Sequence, residues 1–235
     1  MRLITFNTVS VDGRIAVSRS TPSWLDVRWK PLDQIQPVDV LSLHDARISL
    51  NGSNSFTARD APGANFDDHA GARVPPGDFL PQTLSTHPGR WMVVIDSRAR
   101  SRWTSFQEFG TKLAVLISST TPLAYRQFLR AHNVPYLQVG EDRVDLRRAV
   151  DRLGEVFGVD RIVSDAGGVL NGALLREGLV DEIDIQFLPA VVGRAEAPAI
   201  FEGYDFGVTG SLCDLRLIST ESRPDGSIFI RYSVS

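Results

Sequence analysis

The sequence predicts an α/β fold: a mixed, mostly parallel sheet with helices on both faces and an antiparallel hairpin at the C-terminal end. Two patterns lead there. Through the middle of the 235-residue chain, short apolar runs of strand type alternate with stretches carrying apolar residues at helical spacing. At the end, two alternating runs flank Arg223-Pro224-Asp225-Gly226, a strong turn signal. No linker-like segment divides the chain, so residues 1–235 are taken as one domain with a long loop at about 57–90.

Taken in order, Leu3 to Val9 is rich in strand formers, and Ser10-Val11-Asp12-Gly13 breaks it before a second strand-like piece, Arg14 to Val17. Pro37 to Leu50 reads as a short helix or turn and then a strand from Ala46. Regular alternation returns at Trp91 to Asp96, and Lys112 to Ile117 is the next strand. Thr121 and Pro122 signal the start of a helix with apolar residues at 124, 125, 128 and 129. A short strand over Pro135 to Val139 follows. Asp145 is expected to cap a helix that is apolar at 146, 150, 153 and 157 and stops at Gly158.

The most informative stretch comes next. Arg161 to Ser164 is a short buried-type strand, Asp165-Ala166-Gly167-Gly168 a turn, and Val169 to Glu177 a helix ending before Gly178. Ile183 to Phe187 alternates as a strand, and the closing strands are Ser211 to Ser219 and Ser227 to Val234.

Composition narrows the functional classes. Hydrophobic residues make up 43% and charged residues 23%, which suits a soluble domain large enough to bury a core. The formal net charge of −3 offers no electrostatic footprint for nucleic acid or an anionic membrane. Cys213 is the only cysteine, which rules out an internal disulfide and cysteine-based zinc sites; its apolar surroundings suggest a buried thiol. The chain enters strand-like sequence without a signal-type leader, and no apolar run approaches membrane-spanning length, so a cytoplasmic protein is expected.

Several positions are candidates for a ligand. Two glycines opening a helix leave backbone N–H groups bare for an anion, although Gly-Gly there is often only a tight connection. Asn51 to Ser55, with Gly52, makes a polar strand exit that can cradle a ligand. Arg98, Arg100 and Arg102 could hold a phosphate or lie on a solvated turn. Asp12 could do no more than hold its turn, and Trp24 could stack on a ligand or cover the core edge. Asp67, Asp68 and His69 lack the spacing of metal ligands, so no metal is expected.

Together, the segments Ser10 to Ala16 (SVDGRIA), Ser164 to Ile183 (SDAGGVLNGALLREGLVDEI) and Phe187 to Gly193 (FLPAVVG) resemble the reductase domain of the riboflavin-biosynthesis deaminase–reductases. The pieces occur in the family's order over nearly the whole chain. The resemblance implies a dihydrofolate-reductase-like fold, a homodimer, and NADPH as cofactor. It implies cofactor contacts at Ala16, Trp24, Ser55 and Ser97, and around Gly167, Gly168, Val169, Leu170 and Asn171 on the way to Ala173. Asp165 takes the place of a glutamate that contacts the substrate and is one methylene shorter. The position of one of the family's two substrate-phosphate arginines falls near Leu41, where this chain has no arginine; the other cannot be aligned, which leaves Arg59 and Arg73, with Arg59 preferred because it lies nearer Ser55.

The implied reaction is hydride transfer to C1′ of a ribosylaminopyrimidine 5′-phosphate after its sugar opens to an imine. Asp165 and Asp12 are the carboxylate candidates near the imine nitrogen. The deaminase half would need zinc-binding cysteines that this chain lacks, so a stand-alone reductase is expected. Two alternatives remain: a reductase of the same fold with another small substrate, and a non-catalytic nucleotide-binding protein.

Overall fold

The computed structural model describes residues 1–20, 37–57, 64–66, 73–84, 89–103, 106–108, 110–203 and 213–235. The described strands are β1 (Arg2–Ser10), β2 (Ile48–Gly52), β3 (Arg90–Ile95), β4 (Gln107–Glu108), β5 (Thr111–Ile117), β6 (Tyr136–Gln138), β7 (Arg161–Ser164), β8 (Glu182–Leu188), β9 (Leu215–Ser222) and β10 (Ile228–Val234). All of them join one sheet in the order β4-β5-β3-β2-β7-β1-β8-β10-β9, with β6 also beside β5. The run from β5 to β8 is parallel, while β8–β10, β10–β9 and β4–β5 are antiparallel.

The alternation of β5 shows how the sheet is covered. Ala114 and Leu116 face one cluster with Val150 and Leu153 of α3 (Leu146–Phe157) and Leu174 of α4 (Gly168–Arg176). Leu113, Val115 and Ile117 face another cluster with Tyr125, Phe128 and Leu129 of α2 (Leu123–Ala131). On that second side, Val40 and Leu41 of α1 (Pro37–Leu43) pack with Phe6, Val163 and Phe229. Full burial of one such side chain, Leu153 for example, contributes about 1.5–3 kcal/mol.

Local signals hold in places and fail in others. Asp145 caps α3, accepting the Arg148 N–H at 3.0 Å, and Gly158 closes the helix in the left-handed region at φ 59°. Thr121 does not cap α2. Its hydroxyl accepts the Ser118 N–H at 3.0 Å and donates to the Ser97 carbonyl at 2.8 Å, so Pro122 stands at the cap without a side-chain bond. Arg14 to Val17 forms no strand, because its backbone is claimed from across the chain. Arg14 bridges Ala199, and the Ile15 N–H donates to the Pro198 carbonyl at 3.0 Å. Strand β2 begins two residues later than expected, and β9 runs from Leu215 to Ser222. Cys213 is half-buried against the main core, and burial pushes its thiol pKa up.

Candidate active site

The parallel strands end at one edge of the sheet, where open α/β sheets place their ligands. A cleft of about 950 Å³ lies there, between the ends of β1, β2, β3 and β7 and the first turn of α4.

Asp165 follows β7 directly and lines this cleft. The parallel pairing of β2 with β7 sets Leu50 beside Ser164, and the alternate residues Ser49 and Asn51 reach the carboxylate. Ser49 Oγ and Asn51 Nδ2 both donate to Asp165 Oδ1, each at 2.8 Å, and Asn51 Nδ2 also donates to Ser49 Oγ at 2.7 Å. Burial pushes the Asp165 pKa up, and the two neutral donors offset only part of that.

The turn carrying Asp165 is fixed from below by a buried amide network. Asn171 Nδ2 donates to Asn7 Oδ1 at 2.8 Å and to the Ala166 carbonyl at 3.0 Å, while Asn171 Oδ1 accepts from Ser164 Oγ at 2.8 Å. Asn7 Nδ2 donates to the same Ala166 carbonyl at 3.0 Å. The Asn171 side chain is therefore committed to holding the turn and does not line the cleft.

The glycines here have different jobs. A Cβ on Gly167 would meet nothing nearer than Ile15 Cδ1 at 3.9 Å, so its side of the turn is open. A Cβ on Gly168 would fall 2.1 Å from the Ala199 carbonyl oxygen, and one on Gly172 would fall 2.1 Å from that of Glu202. These two, one helical turn apart, seat the 199–202 segment, whose Glu202 N–H donates to the Gly168 carbonyl at 2.8 Å. The Glu202 carboxylate is gripped by both terminal nitrogens of Arg19, at 2.7 and 2.8 Å, and by the Ala199 N–H at 3.0 Å. The first N–H groups of α4 lack helical partners, as at any helix start.

A second turn, after β3, is organised by buried Asp96. Its carboxylate accepts the N–H groups of Arg100 and Ser101, at 2.9 and 3.0 Å, and the Tyr125 hydroxyl at 3.0 Å. Ala99 takes a positive φ of 53° in this turn. Ser97, Arg98 and Arg100 line the cleft as a result. Arg102 turns away, stacking over Phe66 and Phe128 and donating to the Asn65 carbonyl. Arg143, from the loop before α3, joins the lining. Its only sequence signal is a charged run, Glu141 to Arg143, after Gly140, which takes φ 89°.

Ala16, Gly52, Ser55, Ser97, Gly167, Gly168, Val169, Leu170 and Asp165 thus gather at one cleft. Asp12 does not join them. It accepts Ser10 Oγ at 2.7 Å and the N–H groups of Val192 and Gly193 at 3.0 and 2.9 Å. These bonds hold its pKa down at about 2, which suits a clasp and not a proton donor. Arg73 is exposed and outside the cleft lining. Trp24, Arg59, Asp67, Asp68 and His69 lie outside the described residues. The residues that sequence reading missed, Ser49, Asn7 and Arg143, lack a local motif, and Asn51 carries only the signal of a polar strand exit.

One group of metal-ligand type occurs among the described residues: His44, Glu182 and Asp184, at the opposite edge of the sheet. Arg231 Nε donates to Glu182 Oε1 at 2.9 Å and to Asp184 Oδ2 at 3.1 Å, so a guanidinium already stands where a cation would sit.

A mixed sheet with its cleft at the carboxyl edge, a glycine-opened helix on one side and arginines on the other, defines an α/β ligand-binding domain. The chain belongs to the RibD C-terminal domain family, whose sequence profile matches residues 2–229. It is similar to a 2,5-diamino-6-ribosylamino-4(3H)-pyrimidinone 5′-phosphate reductase of Aquifex aeolicus, 25% identical over 232 residues, covering 92% of this chain and 89% of the relative. Proteins of the same name from Archaeoglobus fulgidus and Methanothermobacter thermautotrophicus are 29% and 30% identical, over 51% and 47% of this chain. The match spans about half the length of these two relatives, 54% and 51%.

Among solved structures, Acinetobacter baumannii RibD aligns with the whole chain and 58% of its own, with 19% identity and a TM-score of 0.66. A pyrimidine reductase-like protein of Corynebacterium diphtheriae aligns over 92% of its chain, with 18% identity and a TM-score of 0.65. These two likenesses concern the fold. No helix among the described residues is long and apolar enough to cross a membrane.

Proposed function

We propose that this chain is an NADPH-dependent reductase of a ribosylaminopyrimidine 5′-phosphate, as the named relatives are reductases of such a compound. The observation that carries the reading is Asp165, a carboxyl with a raised pKa, beside a glycine-opened helix and facing a cleft of dinucleotide size.

The residues fit the cofactor. The open face of Gly167 and the bare N–H groups of α4 suit a pyrophosphate, and Ser97, Arg98, Arg100 and Arg143 offer donors for a 2′-phosphate. When bound, the reduced nicotinamide supplies hydride. The chain's own task is to orient the substrate and supply a proton. Asp165 Oδ1 is held by Ser49 and Asn51, which fixes the carboxyl at the cleft. We assign Asp165 the role of contacting the ribosylamino nitrogen and protonating it as C1′ is reduced.

The test is turnover: consumption of reduced nicotinamide with the diaminopyrimidinone phosphate and with its deaminated uracil counterpart. Activity on neither, with the cofactor bound normally, would favour the same-fold reductase of another substrate. Gly167→Asp should weaken NADPH binding by about 1.4–2.7 kcal/mol, roughly ten- to a hundredfold, through like-charge repulsion. Unchanged affinity in the folded variant would remove the phosphate from this turn.

We also propose a homodimer. The edge strand β9 is exposed along its length and presents Leu215, Leu217 and Ile218. A monomer by light scattering at micromolar concentration would refute it.

A further inference from the structure

The opposite, amino-terminal edge of the sheet holds a second cavity, of about 220 Å³, which the reaction does not use. Arg2, Arg161 and Arg231 line it, with His44 on its wall and exposed Asp45 also lining it. These residues come from the starts of β1 and β7, from β10, and from the turn before β2, so the fold itself gathers three guanidinium groups.

The three arginines are not equally committed. Arg2 and Arg231 each bond Glu182, one to each carboxylate oxygen, and Arg231 also reaches Asp184. Arg161 has no carboxylate partner among the described residues. Its Nη1 donates to the His44 carbonyl at 2.6 Å, and its Nε is buried without a hydrogen bond. His44 is also unsatisfied: its side chain is 1% exposed, and Nε2 has no hydrogen-bond partner, with Asp184 Oδ2 at 3.5 Å.

Asp184 Oδ1 is an unmet acceptor of the same cluster, but Arg161 Nε is an unmet donor and needs an acceptor of its own. A metal ion is disfavoured, because the Arg231 guanidinium bridges the two carboxylates that would bind it. The charge balance points the other way. Burial and the neighbouring Glu182 push the Asp184 pKa up to about 8, so near neutral pH three guanidinium groups face the carboxylates of Glu182 and Asp45. The cavity is too small for a nucleotide, and guanidinium forks match tetrahedral oxyanions.

We infer that this cavity is a second ligand site, taking a phosphate-sized oxyanion against Arg161, with Arg2 and Arg231 around it. It is separate from the cleft and does not depend on the reductase reading.

The test uses inorganic phosphate as the probe. The full chain is held at saturating NADP⁺ to fill the phosphate positions of the cleft, with chloride keeping ionic strength constant. Thermal denaturation and titration calorimetry are then followed in wild type, Arg161→Gln, and Arg98→Gln as a cleft control. The expected result is saturable stabilisation by phosphate in wild type and in Arg98→Gln, with affinity at least about tenfold weaker in Arg161→Gln. Arg2→Gln, at a half-exposed side chain, gives the same reading should Arg161→Gln fail to fold. No phosphate-dependent shift in wild type would overturn the site, as would a shift that survives Arg161→Gln or Arg2→Gln but is lost in Arg98→Gln. Failure of NADP⁺ to stabilise any form would count against the cofactor reading alone, because the arginine variants still locate the phosphate.

Discussion

At the carboxyl edge of the sheet, Asp165 meets two neutral donors, Ser49 and Asn51, and among the described residues no arginine or lysine pairs with it. At the amino edge, Glu182 and Asp184 project from alternate positions of β8 into the guanidinium groups of Arg231 and, for Glu182, Arg2. Burial pushes all three carboxyls up, and their neighbours set the final protonation state. Hydrogen bonds from Arg231 and Asp184, with the charges of Arg231 and Arg2, hold Glu182 below its ordinary value, which fixes it as an anion. Asp165 has only dipoles, so burial leaves its pKa raised. The carboxyl at the cleft is thus kept away from cations, and those that cross-link strands at the other edge are surrounded by them.

The largest expected effect tests the first half of that contrast. Asp165→Asn preserves size and hydrogen bonding but removes the proton, and it should lower kcat about 10²- to 10⁴-fold while NADPH affinity stays the same. Turnover near the wild-type rate would demote Asp165 to a structural residue. Next comes the amino edge. Arg231→Met leaves two adjacent carboxyls without their main cation and should cost on the order of 2–4 kcal/mol in urea unfolding. That range is discounted from a fully buried pair because Arg231 is 35% exposed. A loss within experimental error would mean that Arg2 alone neutralises the pair.

The smallest effect is a pH dependence. Asp184 has its pKa raised to about 8 in the folded chain, so its contribution is fully present below its unfolded value of 3.8 and is lost as pH rises to 8. His44 is depressed to about 4, chiefly by burial, so its contribution is present above its unfolded value of 6.5 and is lost as pH falls. The two slopes oppose each other between about pH 4 and 6.5. Above that, of these two, only Asp184 acts, and its contribution should decline from pH 6.5 to 8 by at most about 1.4 kcal/mol per unit. Asp184→Asn should level that stretch, and an identical decline in the variant would place its origin elsewhere.

Most of the fold was legible because its signals are local. Asp145 and Gly158 bracket α3, and Asp165 to Gly168 mark the change from β7 to α4 within a few residues. The candidate site was legible where a motif carries it and not where distant residues meet. Ser49 and Asn51 reach Asp165 across more than a hundred residues, by a strand register that no local pattern encodes. Asn171 and Gly168 sit inside the recognisable motif, yet one ties the turn to β1 and the other gives room to the 199–202 segment. Proximity in a motif did not separate residues facing the cleft from those behind it. Thr121 failed as a cap for a related reason: a distant carbonyl, that of Ser97, competes for the hydroxyl.

The position of β1 has a consequence for how the chain comes into being. It precedes the other described strands in sequence, yet its two neighbours are β7 and β8, which begin at Arg161 and Glu182. At roughly 5–20 residues per second, a ribosome needs on the order of ten seconds or more to deliver them. For that time Leu3, Ile4, Phe6 and Val9 wait without either strand that will flank them. Pairing at such sequence distance makes this part of the sheet slow to form, and it leaves these apolar residues exposed for longer than in a fold where neighbouring strands are also consecutive.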